Sequence, residues 1–218
     1  MAEVTPGTIT ALTGQARDPE RLNLYLDGAF AFGIAREVAE REGLRVGDEL
    51  DSGRLQALRA ADEVARATNA GLFFLTYRAR SEREVRDRLK QKGYPPAAIA
   101  PAIQRLLDWG YLNDAEFARF WTENRAQHKP RGRRLLEQEL RHKGVDRDVV
   151  QDTLDAAELD DEATAFALAQ DRLRRSADSA LDPIVRQRRL ASFLARRGYG
   201  YDVVKSVLKR LGDDDEPA

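Results

Sequence analysis

The chain has 218 residues, no cysteine, and 36 Lys/Arg against 37 Asp/Glu for a formal net charge of −1. The missing cysteine excludes disulfides, thiolate metal sites and cysteine nucleophiles, and suits a reducing cytosol. With 42% hydrophobic and 33% charged residues, the chain can build a core yet carries more charge than a compact sphere uses, and it has no run of about 18 apolar residues that would span a membrane.

The first fifty residues read as a small β element. Met1 to Ala11 lacks the basic start and apolar core of a signal peptide, and Thr8–Leu12 has strand character. Leu22–Leu26 alternates apolar and polar side chains, and Asp27-Gly28 separates it from Ala29–Ile34. Asp-Gly between two alternating runs predicts a hairpin, because a type I′ turn needs positive φ at both central residues. Val46–Leu50 is placed to close the element. Its different periodicity predicts that residues 60–218 fold without it.

From Ser52 onward the period is helical, with Leu55, Leu58, Ala61, Ala65, Leu72 and Leu75 at roughly helical spacing. Ser81-Glu82-Arg83-Glu84 and Asn113-Asp114-Ala115-Glu116 carry the capping-box signal of a helix start. Gly93, Gly110, Gly144 and Gly198 stand where helices should stop in the left-handed region.

Aligned on Gly93, Gly144 and Gly198, three segments match in six columns. The columns are Val85/Leu136/Leu190, Leu89/Leu140/Leu194, Lys92/Lys143/Arg197, Tyr94/Val145/Tyr199, Ile99/Val150/Val204 and Ile103/Leu154/Leu208. Each unit is a pair of amphipathic helices turning at a glycine next to a base. The glycine spacings of 51 and 54 residues leave room for a third helix per repeat. Two helices alone bury little apolar surface, so stacked copies complete one another's cores in an elongated, curved body. The expected segments are a β-hairpin extension (1–52), repeats at 53–125, 126–177 and 178–212, and an acidic tail (213–218).

Charge is segregated along this frame. Arg172–Arg210 holds eleven Arg/Lys against three Asp, Asp146–Asp171 nine acids against one base, and Arg119–Arg147 nine bases against four acids. Such blocks create local fields that the net charge conceals.

No enzymatic pattern emerges. His128 and His142 belong to no metal motif and read as exposed helix or loop residues; P-loop and G-x-S-x-G patterns are absent. Asp160-Asp161-Glu162 reads better as helix-start acids than as a Mg²⁺ site. Trp109, Tyr111, Phe117, Phe120 and Trp121 suit helix packing more than base stacking. Arg131-Gly132-Arg133-Arg134, after Lys129-Pro130, is either a solvated charge run or a contact surface for an acidic protein face or phosphates.

These residues resemble the RecX family of bacterial recombination regulators. The first matching block is Arg78-Ala79-Arg80-Ser81-Glu82, Glu84, Leu89 and Lys92-Gly93-Tyr94, continued by Ile99, Leu106-Leu107, Gly110-Tyr111-Leu112-Asn113-Asp114 and Phe117-Ala118. The second is Gly132, Arg134, Leu135, Glu139-Leu140 and Lys143-Gly144-Val145; the third is Phe193-Leu194 with Arg196-Arg197-Gly198-Tyr199. Asn113 stands where the family often has Asp. The resemblance covers about residues 60–211, and the β element resembles an extension of longer members. It implies three tandem three-helix repeats and a non-enzymatic, cytoplasmic monomer without cofactor or metal. Such a protein acts in homologous recombination, DNA repair and the SOS response, binding the RecA filament on single-stranded DNA, inhibiting ATP hydrolysis and strand exchange, and favouring disassembly. The candidate contact residues, to RecA or to single- or double-stranded DNA, are Arg78, Arg80, Lys92, Arg125, Lys129, Arg131, Arg133, Arg134, Lys143, Arg196 and Arg197. Direct DNA binding is the alternative function; the pI of about 6.2 argues against it as the main role.

Overall fold

The computed structural model describes residues 5–175 and 181–214, so residues 1–4 of the N-terminus and Asp215 and Glu216 of the acidic close lie outside the described residues. The chain divides into two compact units, Met1–Arg78 with Glu84–Leu112, and Ala79–Arg83 with Asn113–Ala218.

The first unit opens with β1 (Gly7–Gln15), β2 (Asp18–Leu26) and β3 (Ala29–Ala35), followed by the short helix α1 (Arg36–Arg41) and the two-residue strand β4 (Glu49–Leu50). Asp27 and Gly28 have φ of 48° and 79°, as the Asp-Gly turn requires. The expected hairpin is one part of a larger object, a four-stranded sheet of order β3-β2-β1-β4. β1 pairs antiparallel with both β2 and β4, closing at Gly7–Leu50. The sequence hid this extent because β4 is too short to show a period and bulges shift the register within β1 and between Leu24 and Tyr25.

Helix α2 (Ser52–Leu75) begins where Asp51 accepts a hydrogen bond from the Arg54 amide at 2.6 Å. Its first half does not belong to a separate helical body. Leu55, Leu58 and Ala65 share one core with Ile9, Leu24, Ile34 and Val38. Asp62, 6% exposed, accepts from both terminal nitrogens of Arg21 at 3.1 Å and from the Ala35 amide at 2.7 Å. The sheet and α2 are therefore fused through packing and a part-buried ion pair, contrary to the expected independence of residues 60–218. The second half of α2 packs on α3 (Glu82–Gln91) and α4 (Pro96–Asp108), around Val85, Leu89, Ile99, Ile103 and Leu106. Gly71 permits the approach of α4, since a Cβ there would lie 2.8 Å from Leu106 Cδ1.

The second unit contains α5 (Asp114–His128), α6 (Arg133–His142), α7 (Arg147–Ala156), α8 (Asp161–Arg175), α9 (Pro183–Arg196) and α10 (Tyr201–Asp214). Helix α5 runs across residue 125, and its buried Phe117 and Ala118 join the core of Leu136, Leu140, Val150 and Leu154. A separate core gathers Phe166, Leu190, Leu194, Tyr199, Val204 and Val207. Nearly every apolar column of the repeat is thus interior; Tyr94 and Leu208 are the half-buried members. Gly93, Gly110, Gly144 and Gly198 all lie in the left-handed region, with φ between 74° and 90°. The aromatic cluster divides: Phe117 is core, Trp121 half-buried, and Trp109, Tyr111 and Phe120 are exposed.

Candidate functional site

Two long-range hydrogen bonds inside the second unit close on the ends of its helices. The Ser81 hydroxyl donates to the Lys143 carbonyl at 2.6 Å, and 51 residues later the Gly132 amide donates to the Arg197 carbonyl at 2.9 Å. In both cases the acceptor is a carbonyl at the C-terminal end of α6 or α9, a group left without an intrahelical partner. An acid completes each joint: Asp114 accepts from the Glu82 amide at 2.8 Å and Asp161 from the Arg133 amide at 3.2 Å. Burial pushes both carboxyls above the usual range, opposed by these hydrogen bonds.

This joint determines which bases are spent inside the fold. Glu139 accepts from Trp121 Nε1 at 2.9 Å and from Arg125 Nε at 2.7 Å, and Arg131 Nε lies 3.9 Å from its other oxygen. The Arg125 guanidinium sits 4.4 Å and the Lys143 ammonium 5.0 Å from the centre of the Trp121 ring. Arg133 donates to the Leu154 carbonyl at 3.0 Å and to Asp155. Arg197 reaches the Pro130 carbonyl and lies over Phe193. Arg78 forms a two-pronged pair with Glu84, and Arg80 is half-buried. The phenol of Tyr199, 3% exposed and close to Asp161, is pushed up to about 12 by burial.

Of the remaining candidates, Lys92, Lys129, Arg134 and Arg196 are exposed. Arg134 stands out because two open grooves share it. One, of about 550 Å³, is lined by Arg83, Arg134, Glu137, Gln138, Arg141 and His142. The other, of about 750 Å³, has a floor of Ala191, Ala195, Val204 and Leu208, with Lys205 and Lys209 beside it and the 77%-exposed Tyr201. Among the described residues, Arg134 makes no ion pair. Arg83, Arg141, Lys205 and Lys209 do not figure among the candidates read from sequence. The signal that could have found them is helical spacing: 134, 137/138 and 141 recur on α6, and 201, 205, 208/209 on α10. Asp160 caps α8, accepting from the Ala163 amide at 2.8 Å, and no cluster that could hold a metal ion occurs among the described residues.

Family models match four stretches of the chain: the regulatory protein RecX N-terminal domain at 7–51 and the RecX first, second and third three-helix domains at 67–106, 113–154 and 160–208. The regulatory protein RecX of Bacillus velezensis is 34% identical over 210 residues, covering 95% of this chain and 80% of the relative. That of Clostridium botulinum is 33% identical over 202 residues, covering 92% and 94%. A crystal structure of regulatory protein RecX superposes with a TM-score of 0.80 at 26% identity, covering 92% of this chain and 98% of the other. RecX from Lactobacillus salivarius shares the fold with a TM-score of 0.62 at 24% identity, covering 70% and 98%.

Proposed function

Since the chain belongs to the RecX family of regulatory proteins, we propose that it restrains the RecA recombinase filament on single-stranded DNA. It does so without catalysis, by occupying the filament, inhibiting its ATPase and strand exchange and favouring disassembly. The observation that carries this reading is Arg134, an exposed base shared by grooves on two consecutive repeats. A surface repeated along a chain suits a target that is itself a repeated array of subunits. Complementary charge along such a surface sets register and association rate more than raw affinity. A monomer working in the cytoplasm fits this role; among the described residues no helix is long and apolar enough to cross a membrane.

The test is RecA ATPase on single-stranded DNA titrated with the purified protein. Inhibition at or below one protein per RecA, without turnover of nucleotide or DNA by the protein itself, is the expected result. Unchanged ATPase across the titration would remove the reading. Inhibition that fell only in proportion to affinity for naked DNA would favour direct DNA binding.

A further inference from the structure

We propose that the 750 Å³ groove of the third repeat receives an amphipathic helix of a partner protein, with two carboxylates one turn apart set on Lys205 and Lys209. The inference rests on the reading that the Arg134 surface meets the target, and it names the chemistry of that contact. The aligned columns show what makes this groove different. The two residues after the buried column Val85/Leu136/Leu190 are Arg86-Asp87, Glu137-Gln138 and Ala191-Ser192, and one turn further stand Lys90, Arg141 and Ala195. Long polar side chains in the first two repeats give way to three small ones in the third. Across from them, Ile103 and Leu154 are each 2% exposed, whereas Leu208 in the same column is half-buried and lines the groove. The equivalent face of α6 is instead lined by Glu137, Gln138 and Arg141. The third repeat has thus exchanged a polar cover for an open aliphatic floor of Ala191, Ala195, Val204 and Leu208.

Shape and charge select the occupant together. The floor runs from Gln187 to Ala195 on α9 and from Tyr201 to Lys209 on α10, about 12 Å at the helical rise, or two turns of a guest helix. Ala191 and Ala195, one turn apart, let a helix backbone approach closely. Lys205 and Lys209 are exposed and also one turn apart, Arg134 adds a third base, and no acid lines the groove among the described residues. The fold does not require these lysines: the same columns hold Ala100 and Gln151 at the first position and Gln104 and Asp155 at the second. A phosphodiester backbone satisfies the bases but leaves the aliphatic floor unfilled. A neutral apolar segment fills the floor but leaves three bases unmatched. A helix with Asp or Glu at i and i+4 beside a stripe of Ala and Leu meets both demands. Such charge pairing sets register and association rate, while the floor supplies apolar burial.

The probe is a fluorescein-labelled amphipathic peptide of about 15 residues, long enough to hold some helix alone, with a Leu/Ala stripe and Glu pairs at i and i+4. Fluorescence anisotropy at low salt compares the full chain with two variants confined to exposed helix positions. Ala195→Arg restores the residue that the second repeat carries and should weaken peptide binding by about 10-fold or more by filling the groove. Lys205→Gln with Lys209→Gln should weaken it by about 2- to 10-fold, and less as salt rises. Should Ala195→Arg lower the melting temperature, the lysine variant decides. No binding of the peptide by the native chain overturns the proposal, as does equal binding by the native chain and the variants. So does equal binding of a peptide with Gln in place of each Glu, or binding of a labelled dT oligonucleotide with none of the peptide. The RecA ATPase titration separates this groove from the parent reading. Full inhibition by the native chain and by both variants overturns the groove and leaves the RecA reading intact. Peptide binding that both variants lose, with no inhibition of RecA by the native chain, removes the RecA reading and supports the groove.

Discussion

The Gly132 amide donates to the Arg197 carbonyl across 2.9 Å, locking the start of one repeat helix against the end of the next. The contact leaves no room for a side chain: a Cβ on Gly132 would lie 2.5 Å from the Gly198 carbonyl oxygen and 2.7 Å from the Tyr199 nitrogen. Gly132→Ala should therefore destabilise by about 1–3 kcal/mol, the usual cost of overpacking. Gly93 offers the control. It has φ of +85°, but a Cβ there would meet nothing within 4 Å, so Gly93→Ala should cost only the left-handed strain, about 1 kcal/mol. Urea unfolding of the two variants separates steric from conformational causes; equal losses would show that the junction relaxes freely.

The neighbouring arginines should divide sharply. Arg133→Ala removes donors to the Leu154 carbonyl and Asp155 and should lower stability by about 1 kcal/mol. Arg134→Ala breaks no ion pair among the described residues, so it should leave the melting temperature unchanged while weakening RecA inhibition by about 0.2–1 kcal/mol. Calorimetry and the ATPase titration read the two effects. Full inhibition by the Arg134 variant would take this residue out of the contact surface.

Asp62 should be among the least replaceable polar residues. Asp62→Ala leaves Arg21 and the Ala35 amide without their shared acceptor between the sheet and α2. The expected loss is about 1–3 kcal/mol, because the buried Ala35 amide loses its acceptor and the part-buried Arg21 keeps only the Gly33 carbonyl. Deleting residues 1–51 should be worse still, exposing Leu55 and Leu58 and removing the sheet half of their core. Retention of full helical circular dichroism and a sharp melt by that truncation would disprove the fusion.

The joint carboxylates set a pH dependence. Burial raises the Asp114 carboxyl above its usual 3.8 in the folded chain. Its contribution to stability is therefore fullest below that usual value and is lost as pH rises through the raised folded value. Asp114→Asn keeps an oxygen to accept from the Glu82 amide but carries no charge. It should flatten the pH dependence of stability above about pH 4 and be at least as stable as the native chain near pH 7, read by urea titrations across that range. A marked loss near neutral pH would show that the carboxylate charge is favourable in place.

Much of the helical fold was legible in order along the chain. Val85, Leu136 and Leu190, with the columns aligned beside them, are interior because helical periodicity and a left-handed glycine are local properties. Local sequence states them without reference to distant residues. The Asp27-Gly28 turn was legible for the same reason. The four-stranded sheet was not, since β4 has two residues and owes its existence to pairing with Gly7 and Thr8. Only the tertiary structure decided which bases are available. Arg131, Arg133 and Arg134 are alike in sequence. Two are committed to Glu139, Leu154 and Asp155, residues up to 22 positions away along the chain, while Arg134 opens onto solvent. Charge type is written locally; whether a charge is spent inside the fold or left for a partner depends on what long-range packing brings within about 4 Å of it.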